Sequence, residues 1–105
     1  MKKMAPLHPG EVLFEEFMLP LGISQNKLGK ELAISPRRIN EIVHGKRRVT
    51  ADTALRLSVY FGNSPSFWLG LQIDYDLDNA IDSNGKQIKK EVHKYHAVKK
   101  MRSNA

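Results

Sequence analysis

Residues 24–46, reading SQNKLGKELAISPRRINEIVHGK, leave this chain few options. They predict two short helices, 25–32 and 36–44, joined by a tight turn. Ser24 and Ser35 stand at N-cap positions, where a side-chain oxygen accepts from an otherwise unpaired backbone N–H. Pro36 takes the first helical position, where a missing N–H does no harm. Ile23 with Leu28, and Ile34 with Ile39, fit hydrophobic staples that fix how the chain comes into each helix. Gly45 supplies the left-handed residue that closes the second helix.

The second helix is amphipathic. Ile39, Ile42 and Val43 share one face; Arg37, Glu41 and His44 point the other way, with Arg38 and Asn40 on the flanks. Arginine can bridge guanine O6 and N7, and asparagine can bridge adenine N6 and N7, so this face suits major-groove reading. A solvated helix face is the plainer alternative; the caps, the turn and the basic residues together favour DNA. Gln25 opens the first helix beside free N–H groups, a place suited to a phosphate oxygen. Lys46-Arg47-Arg48 follows the second helix and can hold phosphates by charge without reading sequence.

Charge supports that assignment by its placement. The chain of 105 residues carries +6 overall. Residues 1–80 account for only +1, yet seven basic and two acidic residues lie between Lys27 and Arg48. Residues 81–105 hold the remaining +5. Charge gathered on one element is the footprint expected of a nucleic-acid binder.

Helices are expected on both sides of this unit, giving an all-α, five-helix domain over 8–78 and a basic, partly disordered tail over 79–105. The first helix starts at Pro9, buries Val12, Leu13 and Phe17, and should end at Pro20 and Gly22. Thr50 caps a fourth helix that Gly62 closes. Ser64 and Pro65 begin a fifth, through about Asp78. Phe67, Trp68, Leu69, Leu71, Ile73, Tyr75 and Leu77 do not fall on one stripe of that helix. A helix apolar around most of its circumference needs cover on more than one side, so a homodimer is expected, with Trp68, Leu71, Gln72 and Tyr75 at the contact. Ser83-Asn84-Gly85 reads as a turn, followed by a weak helix over 86–95 and disorder after Ala97.

Enzyme chemistry finds no support: there is no Gly-rich phosphate loop, nucleophile motif or paired carboxylates. No cofactor is expected. His93 and His96 are too few for a closed metal site. With no cysteine, no membrane-spanning run and no signal peptide, the expected compartment is the cytoplasm, at the nucleoid.

These residues also carry a family resemblance. The two-helix unit resembles that of lambda-repressor-like, Xre-type DNA-binding domains. More narrowly, the chain is similar to the HigA-type antitoxins, also called the VapI or addiction-module antidote family. The likeness runs through His8-Pro9-Gly10-Glu11, Leu21-Gly22-Ile23-Ser24-Gln25 and Arg38-Ile39-Asn40-Glu41-Ile42-Val43 with Gly45-Lys46-Arg47. It continues through Thr50-Ala51-Asp52-Thr53-Ala54-Leu55-Arg56-Leu57, Phe61-Gly62-Asn63-Ser64-Pro65, Phe67-Trp68-Leu69 and Leu71-Gln72. The resemblance implies a bacterial antitoxin that binds a palindromic operator as a dimer and represses its own operon. It also implies neutralisation of a HigB toxin, a small RelE-like ribonuclease that cuts mRNA on the ribosome. By position, Gln25 and Ser35 match phosphate contacts, Arg37, Arg38, Asn40 and Glu41 the base-facing residues, and Lys46 a backbone contact. A stand-alone Xre-type regulator without a toxin is the alternative. Two positions depart from the pattern: Ala33 stands where glycine is common, and Gly29 where alanine is frequent.

Overall fold

The computed structural model describes residues 7–96, all of its regular structure helical. Helix α1 is continuous through Pro9–Val12, Leu13–Met18 and Leu19–Leu21. Then come α2 (Gln25–Leu32), α3 (Pro36–Val43), α4 (Ala51–Phe61) and α5 (Pro65–Glu91). Serine or threonine caps four of them: Ser24, Ser35, Thr50 and Ser64 each accept from the backbone N–H three residues on. The cap of α1 is His8, whose Nδ1 accepts from Gly10 N–H at 2.9 Å.

Helix α1 ends where expected, at Leu21 before Gly22, with Pro20 inside its last turn. Proline lacks the N–H for an i→i−4 bond, and its ring would strike the carbonyl of residue 16. The helix widens instead: Leu13–Met18 is a π-helical segment, and Leu19 N–H bonds Phe14 O, five residues back. It ends at Gly22, whose φ of 64° is left-handed. Helix α5 outruns its expected end. The turn expected at Ser83-Asn84-Gly85 does not form, and the helix continues unbroken to Glu91, 27 residues in all. At 1.5 Å per residue that is about 40 Å. The residues after Ala97, expected to be disordered, lie outside those described.

The core gathers Leu13 and Met18 of α1, Leu28 and Leu32 of α2, and Ile39 and Ile42 of α3 around Ala54, Leu57 and Trp68. Phe17 stacks between Phe61 and Trp68, with ring centroids 4.8 and 5.0 Å away. The Trp68 indole N–H is satisfied by Asn63 Oδ1 at 3.0 Å. Helix α3 packs on α2 and on the start of α1, whereas α5 lies against α4 and α1.

The seating of α3 on α2 depends on the turn between them. Ala33 is left-handed, with φ 58° and ψ 44°. That lets Ile34 N–H return to Gly29 O at 2.8 Å. The turn then runs so close to α2 that a Cβ on Gly29 would sit 2.6 Å from the Ile34 carbonyl oxygen. Ala33 therefore carries left-handed strain, and Gly29 is there to admit a backbone. The two small residues have opposite energetic signs. Replacing Ala33 by glycine should stabilise the fold by about 1 kcal/mol, by removing the left-handed penalty. Replacing Gly29 by alanine should cost about 1–3 kcal/mol through overpacking, despite alanine's better helix propensity. Urea-unfolding midpoints of the two variants check this; a stabilised Gly29→Ala protein would contradict the close approach.

Candidate nucleic-acid interface

Helix α3 buries Ile39 and Ile42 completely and turns its polar residues outward. Its N-cap, Ser35, accepts from Arg38 N–H at 3.2 Å. A hydroxyl that accepts in this way still has a proton to donate. Arg37 stands in solvent, its side chain 88% exposed. Asn40 is also exposed, and its Nδ2 donates to Gln25 Oε1 at 3.0 Å. The bond joins an expected phosphate contact on α2 to an expected base contact on α3. It leaves Gln25 its own amide protons, and Asn40 its Oδ1, for a ligand.

Glu41 is engaged from two sides. Its Oε2 accepts from Arg37 Nε at 3.3 Å and its Oε1 from Arg47 Nε at 2.8 Å. The Arg47 hydrogen bond, and after it the charges of Arg47 and Arg37, hold the Glu41 carboxyl below the usual carboxylate range. Ser35, Arg37, Arg38, Glu41 and Arg47 line one polar concavity. Arg38 is half-buried there, its Nε enclosed and without a hydrogen-bond partner among the described residues. Unpaired buried donors are rare and call for an explanation; this one lies on the face expected to read bases.

The basic triplet is divided between two tasks. Lys46 is exposed and Arg47 turns to Glu41. Arg48 Nη1 reaches back to Asp76 Oδ2 on α5 at 2.8 Å, so its guanidinium ties the loop down. The expected dimer residues are divided too. Trp68 is 0% exposed and Gln72 only 2%, so neither can touch a partner. Trp68 fills the core, and Gln72 Oε1 accepts from Val49 N–H at 2.7 Å. Leu71 and Tyr75 are half-buried. The large apolar residues that α5 does expose are Phe67, Ile73, Leu77, Ile81 and Ile88, at 40–60%.

The pattern of the helix-turn-helix family matches residues 14–68. Virulence-associated protein I of Dichelobacter nodosus is 53% identical over 78 residues, which are 74% of this chain and 72% of that protein. An addiction-module antidote of the HigA family from Coxiella burnetii superposes with a TM-score of 0.83 at 50% identity, over 88% of this chain and 100% of that one. The chain belongs to the HigA-type branch of the helix-turn-helix family. The Pseudomonas aeruginosa antitoxin HigA, solved with the higBA promoter, matches with a TM-score of 0.84 at 42% identity, over 87% of this chain and 99% of that one. The HigA-type family is one of DNA-binding antitoxins and regulators, not of enzymes. No described helix is long and apolar enough to cross a membrane.

Two contributors have roles that the HigA-type sequence motifs do not reveal: His8, which stands in a motif without an assigned part, and Asp76, which stands in none. His8 packs edge-on against Tyr75, with centroids 4.8 Å apart, and against Gly45 at the end of α3. Asp76 receives both Arg48 and Gln72 Nε2. Partial burial works to raise its carboxyl, but those two hydrogen bonds and the charge of Arg48 outweigh it and hold it low. The buried polar pattern gives no local signal for either. His8 carries a pH dependence. Burial lowers its pKa below 6.5, against the pull of Asp76 and Glu11. The unfolded chain therefore takes up the proton more readily than the folded one. Its contribution to stability is whole above 6.5 and is lost as the pH falls through the lower folded-state value. Asparagine can cap without titrating. The drop in Tm from about pH 7.5 to about pH 5.5, a range above the carboxylates, should shrink in His8→Asn; an unchanged drop would place its origin elsewhere.

Proposed function

We propose that this protein is an autorepressing antitoxin. It binds operator DNA as a homodimer through α3 and neutralises a HigB-type, RelE-like toxin that cleaves mRNA. What carries the DNA half of this reading is the polar face of α3. Arg37, Arg38 and Asn40 stand together on it, and Asn40 is held in place by Gln25. Arg37, Arg38 and Asn40 meet base edges in the major groove. Gln25, Ser35, Lys46 and Arg47 meet phosphates, and Arg48 supports their loop from Asp76. Residues 8–78 carry DNA binding, and 79–91 extend it through the pairing helix. The toxin half rests on the likeness to chains that are antitoxins, and it assigns the protein to the bacterial cytoplasm.

Pairing falls to the far part of α5, in place of Trp68 and Gln72. Leu77, Ala80, Ile81, Gly85 and Ile88 line an apolar groove on that helix. Asp74, Asp78 and Asp82 lie at and before this stripe, while Lys86, Lys89 and Lys90 lie in its last turns. Two copies laid antiparallel set acidic against basic ends and cross near Gly85, where the absence of a side chain admits a close neighbour. Such a dimer presents its two α3 helices to successive major grooves, at half-sites about 10 bp or 34 Å apart.

Growth rescue tests the toxin half. Co-expression of this protein should restore growth to cells expressing the toxin encoded beside it; failure to relieve that toxin leaves a stand-alone regulator.

For the DNA half, Arg37→Ala and Asn40→Ala should each cost about 1–3 kcal/mol of operator binding. Lys46→Ala should weaken all sequences alike and flatten the salt dependence. Ile81→Asp should sediment as a monomer and lose operator affinity roughly a hundredfold, since the half-sites are then bound singly. A dimeric Ile81→Asp protein would rule out this pairing face.

A further inference from the structure

The carboxylate of Glu41 is the one acidic group in the concavity lined by Ser35, Arg37, Arg38 and Arg47. We infer that Glu41 is a positioning residue for specificity: it grips Arg37 and Arg47 by their Nε atoms, aims the Arg37 guanidinium at a guanine and sets the Arg47 guanidinium toward the neighbouring phosphate. This rests on the proposed reading of α3 as the base-reading helix.

Three observations carry it. Both contacts use Nε, at 3.3 Å for Arg37 and 2.8 Å for Arg47. A guanidinium held through Nε keeps its two terminal Nη groups as an outward fork, the shape that meets guanine O6 and N7 together. Second, helix stability does not account for the arrangement. Arg37 and Arg38 sit in the first turn of α3 and Glu41 in the last. Each charge therefore opposes the helix dipole. Arginine four residues before glutamate is also the weaker order for an i, i+4 pair. With Arg37 88% exposed, the ion pair adds little to stability. Third, Glu41 links residues from two elements. Arg37 is on α3, and Arg47 is in the following loop. One carboxylate thus sets the spacing of two cations that would otherwise repel and wander. With one oxygen given to each arginine, Glu41 acts on the bases through its neighbours rather than by accepting from a cytosine amino group.

The same logic runs through Asn40, which Gln25 holds at 3.0 Å. Arg37 and Asn40 are thus both held before DNA arrives, so less rotamer freedom is lost on binding.

Selection of binding sites from random DNA duplexes tests the proposal, using the full chain as wild type, Glu41→Gln, Arg37→Ala and the double variant. The wild type should enrich a site with guanine preferences. Glu41→Gln should still bind DNA, but its preference should fall about tenfold at the guanines that Arg37→Ala also weakens. At those guanines the double variant should be no worse than Arg37→Ala alone. Glu41→Asp, which keeps the charge but shortens the reach, should lose the same preference and serves if Glu41→Gln melts too low. An unchanged base-preference profile in both Glu41 variants overturns the proposal. Relaxation confined to one cytosine that Arg37→Ala leaves intact overturns it too, because that is direct reading by the carboxylate. A wild type that enriches no site defeats the base-reading role of α3 itself, a separate result.

Discussion

A buried glutamine sets where the basic loop lies. Gln72, on α5 and 2% exposed, accepts from the backbone N–H of Val49, itself 1% exposed, at 2.7 Å. Without that acceptor the loop would bury an unpaired donor, at a cost of about 1–3 kcal/mol. The bond therefore pins the chain just after Lys46, Arg47 and Arg48 onto α5. Gln72 passes its own amide proton to Asp76, and Asp76 takes Arg48. The result is a polar chain from the core to the basic loop. Loop and helix cannot move independently without breaking it. If two copies pair along α5, the spacing of their basic loops is set through Gln72.

The second constraint is backbone meeting backbone. A Cβ on Gly10 would lie 1.7 Å from the Ile42 carbonyl oxygen, and one on Gly29 would lie 2.6 Å from that of Ile34. So α3 is clamped at its start by the turn from α2 and near its end by the first turn of α1. An eight-residue helix has little stability of its own. Here two helices touch it where only glycine fits, and Ile39 and Ile42 anchor its inner face. Its outer face can then carry charges that oppose the helix dipole. The left-handed Ala33 is the cost of this seating.

The parts of the fold legible in the sequence are those set by local chemistry. Ser24, Ser35, Thr50 and Ser64 each act on an N–H three residues away, so their spacing is enough to place a helix start. Gly22, Gly45 and Gly62 end helices by a conformation their neighbours rarely adopt. Pro20 and Gly22 close α1 as expected, but the π-helical turn that relieves the clash of Pro20 upstream follows from no local rule. Gly85 misled because a turn residue within a strong helix can be carried along when its neighbours stay helical. Trp68 and Gln72 looked like a partner's contact because α5 has apolar residues all round. Whether the second side faces a neighbouring chain or the protomer's own α1 and α4 depends on tertiary packing, which periodicity does not contain. The same holds for Glu41: its type and helix face were legible, but its partner Arg47 lies beyond the end of the helix.

That pairing alters what the charge of the two-helix unit means. Seven basic residues between Lys27 and Arg48 suggest strong, indiscriminate attraction to phosphate. Yet Arg37 and Arg47 share Glu41, and Arg48 is bound to Asp76. Each internal pair lowers the field that any DNA sequence would feel. On the proposed reading it lowers the affinity for a correct site less, because an arginine held in place would meet a guanine there with its geometry already set. Specificity is a ratio of these two affinities, and non-specific sites vastly outnumber the operator in a genome. Acidic partners placed behind the cations thus favour the operator by weakening the competition.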